Sequence, residues 1–412
     1  MLSKRIDLDR TLVLGVDVAS LEHEGFLRGP RGQGVGPFGF SNDRSGFELL
    51  RSKVAEAGVA RGVSEVLLAL EPTGPYGEAL ARWARRRGWD VVGVLGAHTS
   101  RANELWGNSP LKSDGKAAEV ICDLAVEGKW VTFSLREGPY AELKALGVYR
   151  DQLVQERTRQ KNQVRALLHV LFPEFTKVMD PFSKSGVRLL ESYPTPASYG
   201  ETDVVALGAQ LRRWSRGRLR EERAEQVLKA AGESVGVRAG ATERVWQLRG
   251  KLRRLRELEG EIGSLEGRMA RWLSDIPYAG YLLTMPGVGT VTAATLLGEC
   301  GDLRDYPSAQ ELLKFPGLNL VSRSSGKRRG RNRISKRGSR RVRHQLYLLA
   351  GRLAKRGAPW RDRYDRLLAR GAEKKEALTA LSRKALCVLF ALARDGVAYR
   401  SNVVGETISK AA

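Results

Sequence analysis

Cysteine is scarce in this chain of 412 residues, which contains only Cys122, Cys300 and Cys387. Three widely separated cysteines suit neither a disulfide framework nor a cysteine-based zinc site. The four histidines show no ligand spacing either. We therefore expect reduced cysteines that pack in the protein core.

Long apolar runs are also absent. Stretches such as residues 385–393 fall short of the ~18–20 residues that a membrane-spanning helix requires. Near the N-terminus, Asp7, Asp9 and Arg10 interrupt any signal-like run. These absences predict a soluble, non-exported protein without a membrane partner.

Acidic residues are outnumbered. The chain has 70 Lys and Arg against 46 Asp and Glu, a formal net charge of +24. This excess indicates a polyanionic partner. Hydrophobic residues make up 42% of the chain, enough to bury cores in roughly two or three domains.

The N-terminal part alternates strand-like and helix-like patterns. Strands are predicted at residues 11–19, 25–28, 36–40, 63–70 and 90–95, and helices at 45–57, 77–87 and from about 114. The order βββαβαβα is typical of the ribonuclease H-like fold, which RuvC resolvases and many integrases and transposases share.

The rest of the chain is predicted to be helical. Residues 141–172 and 242–273 have the pattern of long helices of the coiled-coil type, which commonly mediates self-association, with a connector or hairpin tip after the first at 173–201. Further helices are predicted at 291–299, 309–314, 340–355 and 374–393. We therefore predict an α/β domain at 1–135, a helical coiled-coil arm at 136–275 and a mostly helical C-terminal domain at 276–412.

Three acids are candidates for one metal site. Asp17 interrupts an apolar strand, Glu71 ends the fourth strand, and Asp114 opens a helix expected to cross the same sheet. In the ribonuclease H topology the first and fourth strands are neighbours. Carboxylate oxygens suit Mg²⁺, which activates nucleophiles and neutralises charge on phosphate. Taken singly, each acid could equally be a helix cap or a surface residue.

A basic segment follows at residues 322–343. It contains no acid and eleven bases: Arg323, Lys327, Arg328, Arg329, Arg331, Arg333, Lys336, Arg337, Arg340, Arg341 and Arg343. These side chains predict contacts with a nucleic-acid backbone. Ser324 and Ser325 lie among them, positioned either to attack a phosphodiester or only to bind phosphate. Upstream, MPGVGTVTAA resembles a helix-hairpin-helix turn, whose Gly287 and Gly289 would present backbone N–H groups to phosphate.

Taken together, the motifs VLGVDVAS, LALEPTG, NSPLKSDGKAAEV, KFPGLNLVSRSSGK and ISKRGSRRVRHQLYLLA resemble the bacterial insertion-sequence transposases that join a RuvC-like DEDD domain to a serine-bearing C-terminal domain. This family includes recombinases guided by a structured bridge RNA. The resemblance implies that Asp17, Glu71 and Asp114 bind Mg²⁺, and that Ser325, with Ser324 as the alternative, forms a covalent link to donor and target DNA. The two long helices suggest a dimer or tetramer, and we expect a cytoplasmic protein associated with the bacterial nucleoid.

The chain departs from this family at one position. Three residues after the Asp that corresponds to Asp114, the family has a second Asp; this sequence has Ala117 there. Glu119 and Asp123 lie about 140° and 180° around the helix from Asp114, so neither is a good substitute. Either three acids suffice or the chain is catalytically impaired. Two alternatives to a transposase stay open. One is a metal-dependent junction resolvase that uses an activated water, with the serine only a phosphate ligand. The other is a silent nucleic-acid-binding protein, which Ala117 supports.

Overall fold

The computed structural model describes residues 7, 9–29, 34–72, 74, 76–107, 114–133, 135–321 and 333–401. The chain divides into two compact units, Met1–Glu137 and Gly138–Ala412. Within the described ranges, none of the helices combines the length and apolar character needed to span a membrane. All three cysteines are free thiols, and Cys122 and Cys300 are buried as expected.

The first unit is a mixed α/β structure, as predicted. Its elements are β1 Thr11–Asp17, β2 Glu22–Arg28, β3 Gly34–Ser41, α1 Arg44–Arg61, β4 Glu65–Leu70, α2 Glu78–Arg86, β5 Asp90–Gly93, α3 Gly96–Gly107, α4 Asp114–Val126 and β6 Val131–Thr132. The sheet order is β3-β2-β1-β4-β5-β6. β1 pairs in parallel with β4 and antiparallel with β2, and β4 pairs in parallel with β5. Helix α3 was not predicted, because its sequence GAHTSRANELWG has too few apolar residues to show a helical stripe.

The two faces of this sheet have separate cores. Leu12, Leu14 and Val16 of β1 point into the core shared with α1 and α2. Val13 points into the core shared with α4. Gly15 lies on the α4 face, where a Cβ atom would come within 2.4 Å of both the Ala118 carbonyl oxygen and the Cys122 backbone nitrogen. Helix α4 therefore packs directly against the backbone of β1.

The second unit is helical apart from one short ribbon in its described part. Its elements are α5 Gly138–Leu171, α6 Phe175–Val178, α7 Lys184–Ser192, α8 Val204–Ser215, α9 Glu221–Gly232, α10 Ala241–Ser274, α11 Ala279–Leu283, α12 Thr290–Cys300, α13 Ala309–Lys314, β7 Leu320–Val321, β8 Arg333–Ile334, α14 Arg340–Leu353, α15 Arg361–Ala369 and α16 Lys374–Asp395. The mostly helical remainder of the prediction is thus confirmed.

The 34-residue helices α5 and α10 run antiparallel to one another. Their side chains form ion pairs along the length of the pair, including Arg150 with Glu266 and Arg254 with Glu156. At one end, α6 to α9 close over a core that includes Phe172, Phe175, Leu207 and Leu248. The predicted connector is therefore itself helical, since its buried apolar residues form this core.

At the other end, the two long helices join the C-terminal helices in one core. This core contains Leu143 of α5, Met269 of α10, Leu297 of α12, Leu346 of α14 and Leu389 of α16. At Gly298 of α12, a Cβ atom would lie 2.6 Å from the Lys144 backbone nitrogen. Glycine therefore allows α12 to cross α5 at close range.

Candidate functional site

Asp17 and Glu71 end up next to one another at the carboxyl edge of the sheet. Val16 of β1 is the parallel partner of Leu70 of β4, so the next residue of each chain is one of the two acids. Val16 and Leu70 both point into the core on the α1 side, and alternation turns the following residues to the α4 face. Asp17 and Glu71 are partly buried there.

The Glu71 carboxylate is held at the start of α3. The Thr99 hydroxyl donates a hydrogen bond to Glu71 Oε2 at 3.0 Å. A Cβ atom on Gly96 would lie only 2.5 Å from Glu71 Oε1, so glycine is needed for this approach. The positive end of the α3 dipole favours a carboxylate at this place. Sequence reasoning missed Gly96 and Thr99, because it predicted no helix in this segment.

Asp114 is the first residue of α4, and its side chain lies outside the described atoms. It falls in the same i, i+4, i+8 row as Ala118 and Cys122, the residues that contact Gly15. Cys122 Sγ lies 3.4 Å from the carbonyl oxygen of Val13, whereas Ala118, one turn earlier in α4, contacts Gly15, two residues later in β1. Helix α4 therefore runs antiparallel to β1. The two residues of β1 from Gly15 to Asp17 span about 6.6 Å, and the four residues of α4 from Ala118 back to Asp114 span about 6 Å. The start of α4 therefore lies near the Asp17 end of β1.

Three carboxylates supply the hard oxygen donors that Mg²⁺ prefers. Within the described residues, however, no three His, Cys, Asp or Glu side chains converge closely enough to hold a metal. Any such site in this unit therefore needs the Asp114 carboxylate or a rearrangement of the side chains at the sheet edge.

The other acids of α4 face elsewhere. Arg28 of β2 donates to Glu119 Oε1 at 3.1 Å and to Asp123 Oδ2 at 2.9 Å. The hydrogen bond to Asp123 is the main cause that raises the pKa of Arg28. Because Glu119 and Asp123 are both paired with this guanidinium, neither replaces the carboxylate that the family has at the position of Ala117.

Strand β2 adds two side chains that sequence reasoning did not single out, because the strand was predicted to begin at residue 25. His23 is fully buried, and its Nδ1 accepts a hydrogen bond from the Ala19 backbone N–H at 3.2 Å. Burial lowers the pKa of His23. Glu24 is the antiparallel partner of Asp17, and its Oε2 atom is buried.

The serines and five of the predicted phosphate-binding bases lie outside the described residues: Ser324, Ser325, Arg323, Lys327, Arg328, Arg329 and Arg331. The described chain on either side is tightly fixed. Leu320 and Val321 pair with Ile334 and Arg333 as an antiparallel ribbon. A Cβ atom on Gly338 would lie 2.0 Å from the Phe315 carbonyl oxygen, so the two chain segments cross closely below the ribbon.

The remaining bases fall into two groups. Arg333, Lys336, Arg337 and Arg340 are exposed. Arg341, by contrast, donates to Asp151 Oδ2 at 2.8 Å and to Glu299 Oε1 at 2.9 Å, which joins α14 to α5 and α12. Arg343 donates to the Pro316 carbonyl oxygen at 2.6 Å. The first group is available to phosphate, while the second supports the fold.

A groove opens beside the β7–β8 ribbon, between it and the α15–α16 turn. Its charged lining consists of seven bases and two acids: Lys314, Arg333, Lys336, Arg337, Arg370, Lys375 and Arg383, with Glu373 and Glu376. The Arg383 Nε atom is buried without a hydrogen-bond partner in the described structure. A lining of this charge is suited to a phosphate backbone.

The glycine turn connects α11 to α12. Gly287 adopts a positive φ of 80°, and Gly289 caps α12 without a side-chain hydrogen bond. Arg352 donates to the Thr292 hydroxyl at 3.0 Å in the first turn of α12. A helix start that has no side-chain cap and lies beside a guanidinium is a favourable place for phosphate.

Comparison with known proteins finds family matches in two parts of the chain. Residues 14–173 match a DEDD-type transposase model of IS110, and residues 279–365 match the transposase IS116/IS110/IS902 family. The chain is 30% identical over 343 residues to the insertion element IS116 protein of Streptomyces clavuligerus, covering 82% of this chain and 84% of that one. It is 28% identical over 399 residues to the insertion element IS110 protein of Streptomyces coelicolor, covering 96% and 97%. This chain belongs to the IS110/IS116 family of transposases.

Proposed function

We propose that the protein is a DNA recombinase in which Ser325 forms a covalent phosphodiester link to DNA and Asp17, Glu71 and Asp114 form a Mg²⁺-binding acid cluster. The observation that carries this proposal is the parallel register of Val16 with Leu70, which sets Asp17 beside Glu71 on the face where α4 begins. Together with the order of the strands, it supports a RuvC-like domain.

The chain's own residues have separate roles in this proposal. Thr99 and the start of α3 hold the Glu71 carboxylate in place. Gly15 lets α4 approach the sheet, which brings Asp114 towards Asp17. A divalent cation bound by these acids would stabilise negative charge on the phosphate undergoing transfer.

The serine step conserves the number of phosphodiester bonds. The Ser325 Oγ forms a bond to phosphorus while a deoxyribose oxygen leaves and takes up a proton. A deoxyribose hydroxyl of the other DNA then attacks phosphorus and releases the serine. Exchange therefore requires no external energy source, and the exposed bases near the ribbon would neutralise the phosphate.

The nucleic-acid partners are proposed to be donor DNA, target DNA and a structured bridge RNA. The net charge of +24 and the basic groove beside β7–β8 support contacts with more than one backbone. We also propose that the 136–275 region is a coiled-coil-type arm between domains at 1–135 and 276–412, and that it assembles dimers or tetramers in which the serine of one subunit meets the acids of another.

The test of the serine is a denaturing gel with end-labelled donor DNA. Ser325→Ala is expected to abolish the denaturant-resistant protein–DNA adduct, while Ser324→Ala retains it. The test of the guide is to express the protein with its flanking non-coding DNA and to sequence the RNA that co-purifies with it. A single discrete RNA is expected. An adduct at the wild-type level in Ser325→Ala contradicts the proposal.

Two other outcomes lead to different functions. Cleavage that leaves a free 5′-phosphate and no adduct indicates a resolvase that uses water. If Ala117→Asp is active and the present chain is not, the chain as it stands is a nucleic-acid-binding protein. Equal activity of the two forms shows that this protein does not need a carboxylate at position 117.

A further inference from the structure

Glu24 lies in a position that connects it to the acid cluster. It is the antiparallel partner of Asp17, and side chains of directly opposed residues project from the same face of a sheet. Its neighbours in the alternation confirm the face: Phe26 packs in the α4 core, and Arg28 binds acids of α4. Asp17 therefore has Glu71 on the strand to one side and Glu24 on the strand to the other.

We propose that Glu24 is a further carboxylate ligand of this cluster, and that it shares the divalent cation with Asp17 when the side chains at the sheet edge, which do not converge in the described structure, rearrange around it. This inference rests on the acid cluster proposed above and extends it to strand β2. Helix α4 lacks one acid of the family, because position 117 is alanine. Glu24 would supply a fourth carboxylate from strand β2 instead.

The state of the Glu24 carboxylate supports this role. Its Oε2 atom is buried, and no hydrogen-bond donor lies within reach of it in the described structure. A carboxylate oxygen withdrawn from water is unfavourable unless a cation or a donor compensates it. Other acids on this face have such partners: Thr99 donates to Glu71, and Arg28 binds Glu119 and Asp123. A bound cation would compensate Glu24 in the same way.

The position along the strand also fits. Arg28 lies level with Glu119 and Asp123, and Glu24 is four residues earlier, about 13 Å along β2. About nine helical residues cover the same distance on α4, which leads from residue 123 back to its start at Asp114. Glu24 therefore lies at the level of Asp17 and of the beginning of α4.

The test is isothermal titration of the full-length protein with Mn²⁺. Glu24→Gln preserves the shape of the side chain and is expected to weaken Mn²⁺ binding at least tenfold, and Glu24→Asp to retain part of the affinity. Glu56→Gln is the matched control, because Glu56 is an exposed acid on α1. Circular dichroism melting without metal should show that Glu24→Gln is as stable as the wild type or more stable, since the buried carboxylate oxygen without a hydrogen-bond partner is replaced by an uncharged amide atom.

The outcomes separate the two proposals. If Asp17→Asn loses Mn²⁺ and Glu24→Gln binds it as the wild type does, Glu24 is not a ligand and the acid cluster stands without it. If the wild-type protein does not bind Mn²⁺, both the cluster and the role of Glu24 are refuted. Weakened binding in both Asp17→Asn and Glu24→Gln, with normal binding in Glu56→Gln, establishes the shared site.

Discussion

The contact between α4 and β1 gives the sharpest prediction for the N-terminal unit. Gly15→Ala adds a methyl group at a point where the nearest atoms, the Ala118 oxygen and the Cys122 nitrogen, would be 2.4 Å away. Both belong to the backbone, so a change of rotamer cannot relieve the contact. The helix has to move away from the strand.

The size of the effect follows from two opposing contributions. Overpacking of a well-packed core typically costs about 1–3 kcal/mol. Replacement of glycine reduces the entropy of the unfolded chain, which returns about 0.4–1 kcal/mol. We therefore expect a net loss of about 1–2 kcal/mol in the free energy of unfolding of this unit, a factor of about 5–30 in its folded-to-unfolded ratio.

Amide hydrogen exchange with mass spectrometry measures this change within the unit itself. Peptides from α4 and β1 of Gly15→Ala should exchange about 5–30 times faster, while peptides from α12 and α14 should not change. Gly39→Ala is the control, because Gly39 lies in the same sheet and a Cβ atom there meets nothing within 4 Å. Wild-type protection of α4 in Gly15→Ala would refute the proposed packing.

Two further predictions concern the ion pair and the buried histidine. Arg341→Gln leaves the largely buried Glu299 without its cation and should destabilise the C-terminal helices by about 1 kcal/mol, with partial exposure of Arg341 limiting the loss. Arg337→Gln should instead weaken nucleic-acid binding in a filter-binding assay and leave the melting temperature unchanged. The reverse pattern in the two assays would exchange the roles of these arginines. Because burial lowers the pKa of His23 below 6.5, the unfolded chain takes up a proton at a higher pH than the folded chain does. The contribution of neutral His23 to the free energy of unfolding is therefore fully present above about pH 6.5 and declines below it. Exchange of the Ala19 amide should accordingly accelerate between pH 7 and pH 5 after correction for the intrinsic rate, and His23→Gln should remove this dependence; an equal dependence in both proteins would exclude His23 as its cause.

The sequence by itself determined the order and type of most elements. The apolar runs TLVLGVD and EVLLAL are local patterns, so they identified β1 and β4, and they showed that Asp17 interrupts the first strand and that Glu71 follows the fourth. The two 34-residue helices were recognisable for the same reason, since helical periodicity is written along a single segment.

The tertiary structure alone decided which side chains meet. The register that places Glu24 opposite Asp17 depends on pairing between strands, and the approach of Gly96 to Glu71 depends on how α3 packs. Arg341 illustrates the same limit: the charge pattern assigned it to phosphate, and the fold gives it to Asp151 and Glu299, which are distant in sequence. Local sequence sets the conformation of each segment, whereas contacts between segments arise from packing of the whole chain, which no single segment encodes.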